Sequence, residues 1–159
     1  MSLLLNARLR FFERSLLAAD RLATRLGRSD PRAEHLHTGA QGEEAAFFYL
    51  RRHGFIVTAR GWRSALSPGD IDVIAWEDDT LCFIEVKTRS SHAVASAEAA
   101  VDEHKRKTLR RLARAYMRLL PQATRGTAQP TVRFDILSIY FEDKRAAEYQ
   151  FFRGAFGWA

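Results

Sequence analysis

The 159-residue chain contains one cysteine, Cys82, and a lone thiol cannot close an internal disulfide. A reducing compartment suits such a chain. Cys82 lies in an apolar run, which fits a buried, inert thiol better than a nucleophile. No stretch approaches the roughly 20 apolar residues that a membrane helix requires. Met1 to Arg14 is rich in leucine but broken by Arg8, Arg10 and Glu13, so it has neither the apolar core nor the cleavage site of a secretion signal. A cytoplasmic location without a membrane span is expected. The chain also has no Walker loop, dinucleotide fingerprint or nucleophile elbow. His35 and His37 have no second ligand pair to complete a zinc site. Gly39-x-x-Gly42 lacks the surroundings of a phosphate-clamping loop.

What the chain does have is enough length for one domain with a real core. Hydrophobic residues make up 47% and charged residues 28%, as in a globular protein. Lys and Arg number 25 against 19 Asp and Glu, a net charge of +6. That balance points to a polyanionic partner, of which nucleic acid is the commonest.

Residues 1–29 carry leucines and Phe12 at spacings of three and four, with arginines on the other faces. They read as one helix, ended by Gly27 and Ser29-Asp30-Pro31. It is expected to dock on the domain; pairing with another copy and lying on a membrane surface are the alternatives. The chain divides into an N-terminal helical extension, 1–35, and a main domain, 36–159. In the main domain, Thr38 caps a helix over about Ala40 to Arg52, with Ala46, Phe47 and Leu50 on its apolar face. Phe55 to Ala59 is a short strand and Gly61 to Gly69 a loop. Asp70 to Trp76 alternates as a strand, with Asp70, Asp72 and Ile74 on one face and Ile71, Val73 and Ala75 on the other. An acidic turn links it to Leu81 to Thr88, which is apolar on both faces, as a central strand is. A helix over 98–120 follows, its stripe being Val101, Leu109, Leu112, Tyr116 and Leu119. Pro121 to Pro130 is a polar loop, Val132 to Phe141 a strand, and Ala147 to Phe152 a last edge strand. The fold class is α/β, a mixed sheet of four to five strands flanked by helices in the order αβββαβ. The long helix between strands predicts a parallel return.

Two carboxylates interrupt apolar strands: Asp72 between Ile71 and Val73, and Glu85 between Ile84 and Val86. An unpartnered ionised carboxylate costs several kcal/mol to bury or is pushed to a raised pKa. A divalent cation compensates two of them at once, and oxygen ligands suit Mg2+ (or Mn2+). Glu85 and Lys87, two apart on one strand, share a face. With Asp72 beside them they form a set suited to phosphodiester hydrolysis, Lys87 positioning water or stabilising developing charge. The structural alternative is a buried salt bridge without metal. Asp70 beside Gly69 reads as a turn residue, and Asp135 fits a role in the site or a local pairing equally.

Gly69-Asp70-Ile71-Asp72-Val73-Ile74 and Phe83-Ile84-Glu85-Val86-Lys87-Thr88-Arg89 resemble the Asp, then Glu-x-Lys signature of the restriction-endonuclease-like superfamily. With Gly39 to Ala46, Val101-Asp102, Lys105-Arg106 and Arg133-Phe134-Asp135, the chain resembles the bacterial YraN family, which is similar to archaeal Holliday-junction resolvases. The resemblance covers about residues 38–141. It implies a restriction-endonuclease-like core and a metal-dependent endonuclease acting on DNA, with branched or structured DNA as the class of substrate. It also implies a third metal ligand at Glu43, by itself a solvated helix residue, and a homodimer. Asp70 departs from the family's usual Glu, keeping the charge but shortening the reach.

The 98–120 helix carries seven cations, and no acidic residue stands between His104 and Phe134. Lys105, Arg106, Arg110 and Arg114, extended by Arg63 and Arg89, are the expected nucleic-acid contacts, giving salt-sensitive, sequence-independent affinity. Trp62 is placed either to stack on a base or to join the core. A binding protein that kept the nuclease fold without turnover is the second reading.

Overall fold

A computed structural model of the protein describes residues 31–89, 101–120, 130–141 and 146–158 together with Ser15, with backbone only for 31–38. The helix expected over 1–29 lies outside the described residues except for Ser15, which is helical and exposed. Five strands and two helices build the rest: α1 (Pro31–Arg52), β1 (Ile56–Ser64), β2 (Ser67–Glu77), β3 (Thr80–Arg89), α2 (Glu103–Leu119), β4 (Thr131–Tyr140) and β5 (Glu148–Phe156). The sheet order is β1-β2-β3-β4-β5. Only β3 and β4 run parallel; the other neighbours are antiparallel. The α2 crossover accounts for that parallel pair, as expected.

Helix α1 starts at Pro31 rather than near Thr38, so the expected boundary at 35–36 falls inside it. Proline suits a first helical turn, where its missing N–H is not needed. The helix ends at Arg52, and Gly54 just beyond it takes a φ of 94°, which is open to glycine. The Phe55 N–H returns to the Leu50 carbonyl at 3.0 Å. Ala45, Ala46, Phe48 and Leu50 are its buried residues. Phe47 was expected there, but it lies half-buried under the Arg60 guanidinium, 5.2 Å from its ring centroid.

The expected loop over Gly61 to Gly69 is not one. β1 continues to Ser64 and β2 begins at Ser67, with Trp62 opposite Ile71 in the ladder. Pairing of a long hairpin overrides the local Gly and Pro signals. The expected face pattern of β2 also breaks: Ile71 and Ile74 pack into the same core cluster, while Val73 and Ala75 join the other. The break falls at Asp72, where the registered β2–β3 pairing has ended with Val73 opposite Ile84.

The sheet separates two cores. One lies under α2, with Ile74, Leu81, Phe83, Phe134 and Ile136 meeting Leu109, Leu112 and Ala113. The other lies under α1, with Val73, Ala75, Cys82, Ile84, Leu137 and Ile139 meeting Ala45, Ala46 and Leu50. Each fully buried leucine in these layers contributes about 1.5–3 kcal/mol. Tyr116 leans edge-on against Trp62 and Phe83, with ring centroids 5.3 and 5.9 Å away. Trp62 is therefore core-side, the second of its two expected roles. Leu119, expected in the buried stripe, is 70% exposed. The helix ends there, and Leu120, in extended conformation, turns in against the core instead.

β5 runs four residues beyond its expected end. A bulge opposite Asp135 makes this possible. Gly154, at φ 63°, aims its N–H at the Asp135 carboxylate, 2.8 Å away.

Candidate active site

β3 fixes the first half of the site. Leu81 and Phe83 face α2, and the twofold period continues that face through Glu85 and Lys87. Glu85 is 3% exposed. Its Oε1 accepts from Lys87 Nζ at 2.9 Å. β2 supplies Asp72, whose Oδ2 accepts the Val86 N–H at 2.7 Å. A side chain thus takes a backbone donor just past the end of the ladder, and it anchors the Asp72 rotamer beside Glu85. The expected trio of Asp72, Glu85 and Lys87 is brought together.

A fourth residue enters from above. Asp102 caps α2, its Oδ1 accepting the Lys105 N–H at 2.8 Å. That start points the Lys105 side chain inward, with Nζ 3.0 Å from Glu85 Oε2. The sequence reading counted Lys105 among the surface cations. A helical pattern does not reveal which cation of the first turn meets a carboxylate on the sheet below.

The electrostatics follow from burial. The Asp72 carboxyl is pushed up to about 7, first by desolvation and then by the charge of Glu85. The Val86 N–H and Lys105 pull it back only in part. For Lys105, burial alone acts to lower the pKa, but Glu85 and then Asp72 more than offset it and hold the ammonium above its ordinary value. Two carboxylates and two ammonium groups therefore share one half-enclosed space.

Asp72 and Glu85 fit a small divalent cation. Glu85 Oε2 is buried, with Lys105 Nζ at ion-pair distance as its one charged neighbour among the described pairs. Mg2+ is commonly held by one or two carboxylates, with water and substrate phosphate completing its shell. Glu43 stands farther off. Its charge helps raise Asp72, but among the described residues no three His, Cys, Asp or Glu side chains gather into a metal-holding group.

The other expected residues divide. Arg63 is exposed and pairs with Asp70 across the hairpin at 3.2 Å. Arg89 is half-buried, at the end of β3. Arg106 donates through Nε to the Val101 carbonyl at 2.9 Å. Arg110 departs from expectation: it is 8% exposed, donating to the Gly157 carbonyl at 2.8 Å and to Glu103 at 3.0 Å. It ties α2 to the chain after β5 rather than presenting its charge outward. Arg114 is exposed and lies over the Trp158 ring at 5.1 Å.

Asp135 belongs elsewhere. It lies opposite Ile84 in the parallel ladder, so it shares the α1 face with Cys82 and Ile84. There Arg133 bridges it, at 2.7 Å, to Glu77, at 2.6 Å. Cys82 beside them is pushed up to about 12 by desolvation first and by Asp135 second, so it stays a thiol.

Sequence reasoning also missed Ser138, fully buried on β4 beside Lys87 in the register, its Oγ without a hydrogen-bond partner. One serine in an apolar strand carries no signal of this by itself.

Residues 42–139 match the family described as Uncharacterised protein family UPF0102. A UPF0102 protein of Koribacter versatilis is 46% identical over 123 residues, 77% of this chain and 81% of the relative. One from Solibacter usitatus is 40% identical over 139 residues, 87% of this chain and 95% of the relative. One from Bacteroides thetaiotaomicron is 39% identical over 111 residues, 70% and 85% of the two chains.

Proposed function

Because the chain belongs to the uncharacterised protein family UPF0102, a family description that names no activity, we propose its function from the site: a metal-dependent endonuclease that hydrolyses phosphodiester bonds in DNA, branched or otherwise structured DNA being the favoured substrate class. The carrying observation is a pair of carboxylates on adjacent strands, the half-buried Asp72 and the buried Glu85, with Lys87 bonded to Glu85 under a cationic helix.

Asp72 and Glu85 would hold Mg2+ or Mn2+, which would supply Lewis acidity beside the phosphate. The Val86 N–H keeps Asp72 in its rotamer. Lys87, whose ammonium lies 2.9 Å from Glu85, positions water or stabilises negative charge developing on the phosphoryl oxygens. Lys105 adds a second cation to the same space. Burial of Glu85 strengthens its interactions with both ammonium groups. The exposed cations of α2 draw the phosphate backbone in.

The test is cleavage of single-stranded, duplex, flapped and four-way-junction DNA by purified protein with Mg2+ or Mn2+. Glu85→Ala and Lys87→Ala are expected to abolish it, and cutting that survives both rejects the mechanism. One observation favours a second reading, a nucleic-acid-binding protein without turnover: ammonium groups stand beside both oxygens of Glu85. Salt-dependent binding with no cleavage over the same panel selects it.

A further inference from the structure

At the end of α2 farthest from Asp72 and Glu85 the surface opens into a cavity of about 420 Å3, lined by Arg114, Arg118, Met117, Leu120, Val132 and Trp158 among others. Its volume lies within the roughly 300–1,000 Å3 of small-ligand sites. Its chemistry is divided: an aromatic and aliphatic floor, with two guanidinium groups on the helix side. One of these, Arg114, is held 5.1 Å over the Trp158 indole, and Trp158 is braced edge-on against Phe134 at 4.9 Å. A nucleotide has the complementary division, a flat apolar base joined to an anionic phosphate. Bases stack on indole rings and on guanidinium planes alike.

A track leads to it. Lys107, Arg111, Arg114 and Arg118 are exposed, and their spacings of four, three and four set them on one face of the helix. Arg111 is steadied by the Pro68 carbonyl at 3.1 Å. At about 1.5 Å per residue, Lys107 to Arg118 spans roughly 16 Å, the length of about five stacked nucleotides.

We propose that this cavity seats one unpaired nucleotide of a nucleic-acid strand running along α2 from the Asp72–Glu85 pair. The inference rests on the proposed nuclease reading for where the strand begins, but not for the cavity's own affinity. It makes a single-stranded segment, rather than a continuous duplex, the feature recognised at this end of the protein. A base inside a duplex is stacked on both sides and has no free face to offer.

The experiment uses the full chain in EDTA, with fluorescein-labelled oligothymidylate and a hairpin duplex of equal charge as probes, read by anisotropy. Trp158→Ala and Arg114→Gln are expected to weaken single-strand binding about 5- to 100-fold, while duplex binding changes less than about threefold. Trp158→Phe retains single-strand affinity. Lys107→Ala weakens both probes alike, as a phosphate contact does. If thermal melting shows Trp158→Ala unfolded, the exposed Arg114→Gln decides. Photocrosslinking with a 5-iodouracil oligonucleotide should give an adduct on Trp158 or Met117. Equal losses on both probes, no loss on either, or adducts confined to other segments overturn the proposal. Since binding is read in EDTA it does not depend on turnover, so absence of cleavage in the separate panel with Mg2+ or Mn2+ would sink the nuclease reading and leave this result standing. Cleavage with unaltered single-strand binding in Trp158→Ala and Arg114→Gln would do the reverse.

Discussion

Replacing Asp72 by Asn should stabilise the metal-free protein at pH 8 and cost it any activity. In the folded chain the Asp72 carboxyl titrates at about 7 rather than 3.8, because it is desolvated and faces Glu85. The folded state therefore holds a proton that the unfolded chain has released, throughout the interval between those values. Where the folded state binds more protons, stability falls as pH rises. The cost is absent below about 4, grows through the window, and is complete above about 7. The displacement corresponds to roughly 4 kcal/mol at most. Asn carries no charge, and its amide oxygen keeps the acceptor that the Val86 N–H requires. Urea unfolding in EDTA should thus show the wild type losing about 2–3 kcal/mol between pH 5 and pH 8, with the Asp72→Asn profile flatter over that interval and lying higher at pH 8. Saturating Mg2+ should remove most of the wild-type deficit and leave the variant unmoved, because a ligand of the folded state stabilises it by mass action. A variant less stable than wild type at pH 8, or one that keeps the wild-type slope, would refute the reasoning.

Three further outcomes are expected. Gly42 packs against β3 so closely that an added Cβ would overlap Thr88 Oγ1. Gly42→Ala should therefore cost about 1–3 kcal/mol in chemical denaturation, and Thr88→Ala in the same chain should recover much of it. Asp135→Ala removes a fully buried carboxylate from Arg133 and from the Gly154 N–H, so it should cost about 3–5 kcal/mol in the same assay. Cys82 is buried, with its thiol pushed up to about 12. It should resist iodoacetamide at pH 8 in the folded protein and react once urea unfolds it, as mass spectrometry would show.

The parts of the site that obey a local period were legible. Glu85 and Lys87 share a face because strands alternate, and an acidic turn fixed the β2–β3 hairpin that brings Asp72 alongside. What long-range packing decides was not. Nothing near Arg110 signals that the Gly157 carbonyl and Glu103 will take its guanidinium. Lys105 meets Glu85 only because the Asp102 cap sets the phase of α2 over β3. The β1–β2 hairpin was hidden by Gly61, Pro68 and Gly69. Gly69, at φ 97°, is needed less for a turn than for the approach of α2, since a Cβ there would stand 2.8 Å from Thr108 Cγ2. The side of Asp135 was recoverable in principle: a parallel β3–β4 pair with Phe83 opposite Phe134 sends Asp135 to the face of Ile84.

The two faces of the sheet treat buried carboxylates differently, and the contrast bears on function. On the α1 side the cluster around Asp135 is fully paired. Arg133 Nε and a terminal nitrogen take both oxygens of Asp135, Gly154 adds a backbone donor, and Glu77 binds Arg133 and Arg153 together. Such a network is complete without any added ion. On the α2 side Glu85 is paired with two lysines, but Asp72 has only the Val86 N–H and a carboxyl raised to about 7. Buried polar groups in folded proteins are as a rule satisfied, and strongly perturbed carboxyls gather where chemistry is done. A fold that completes one ionic cluster has the means to complete the other with one more donor. Asp72, held by one backbone donor and facing the charge of Glu85, thus keeps a cost of burial that a divalent cation would relieve.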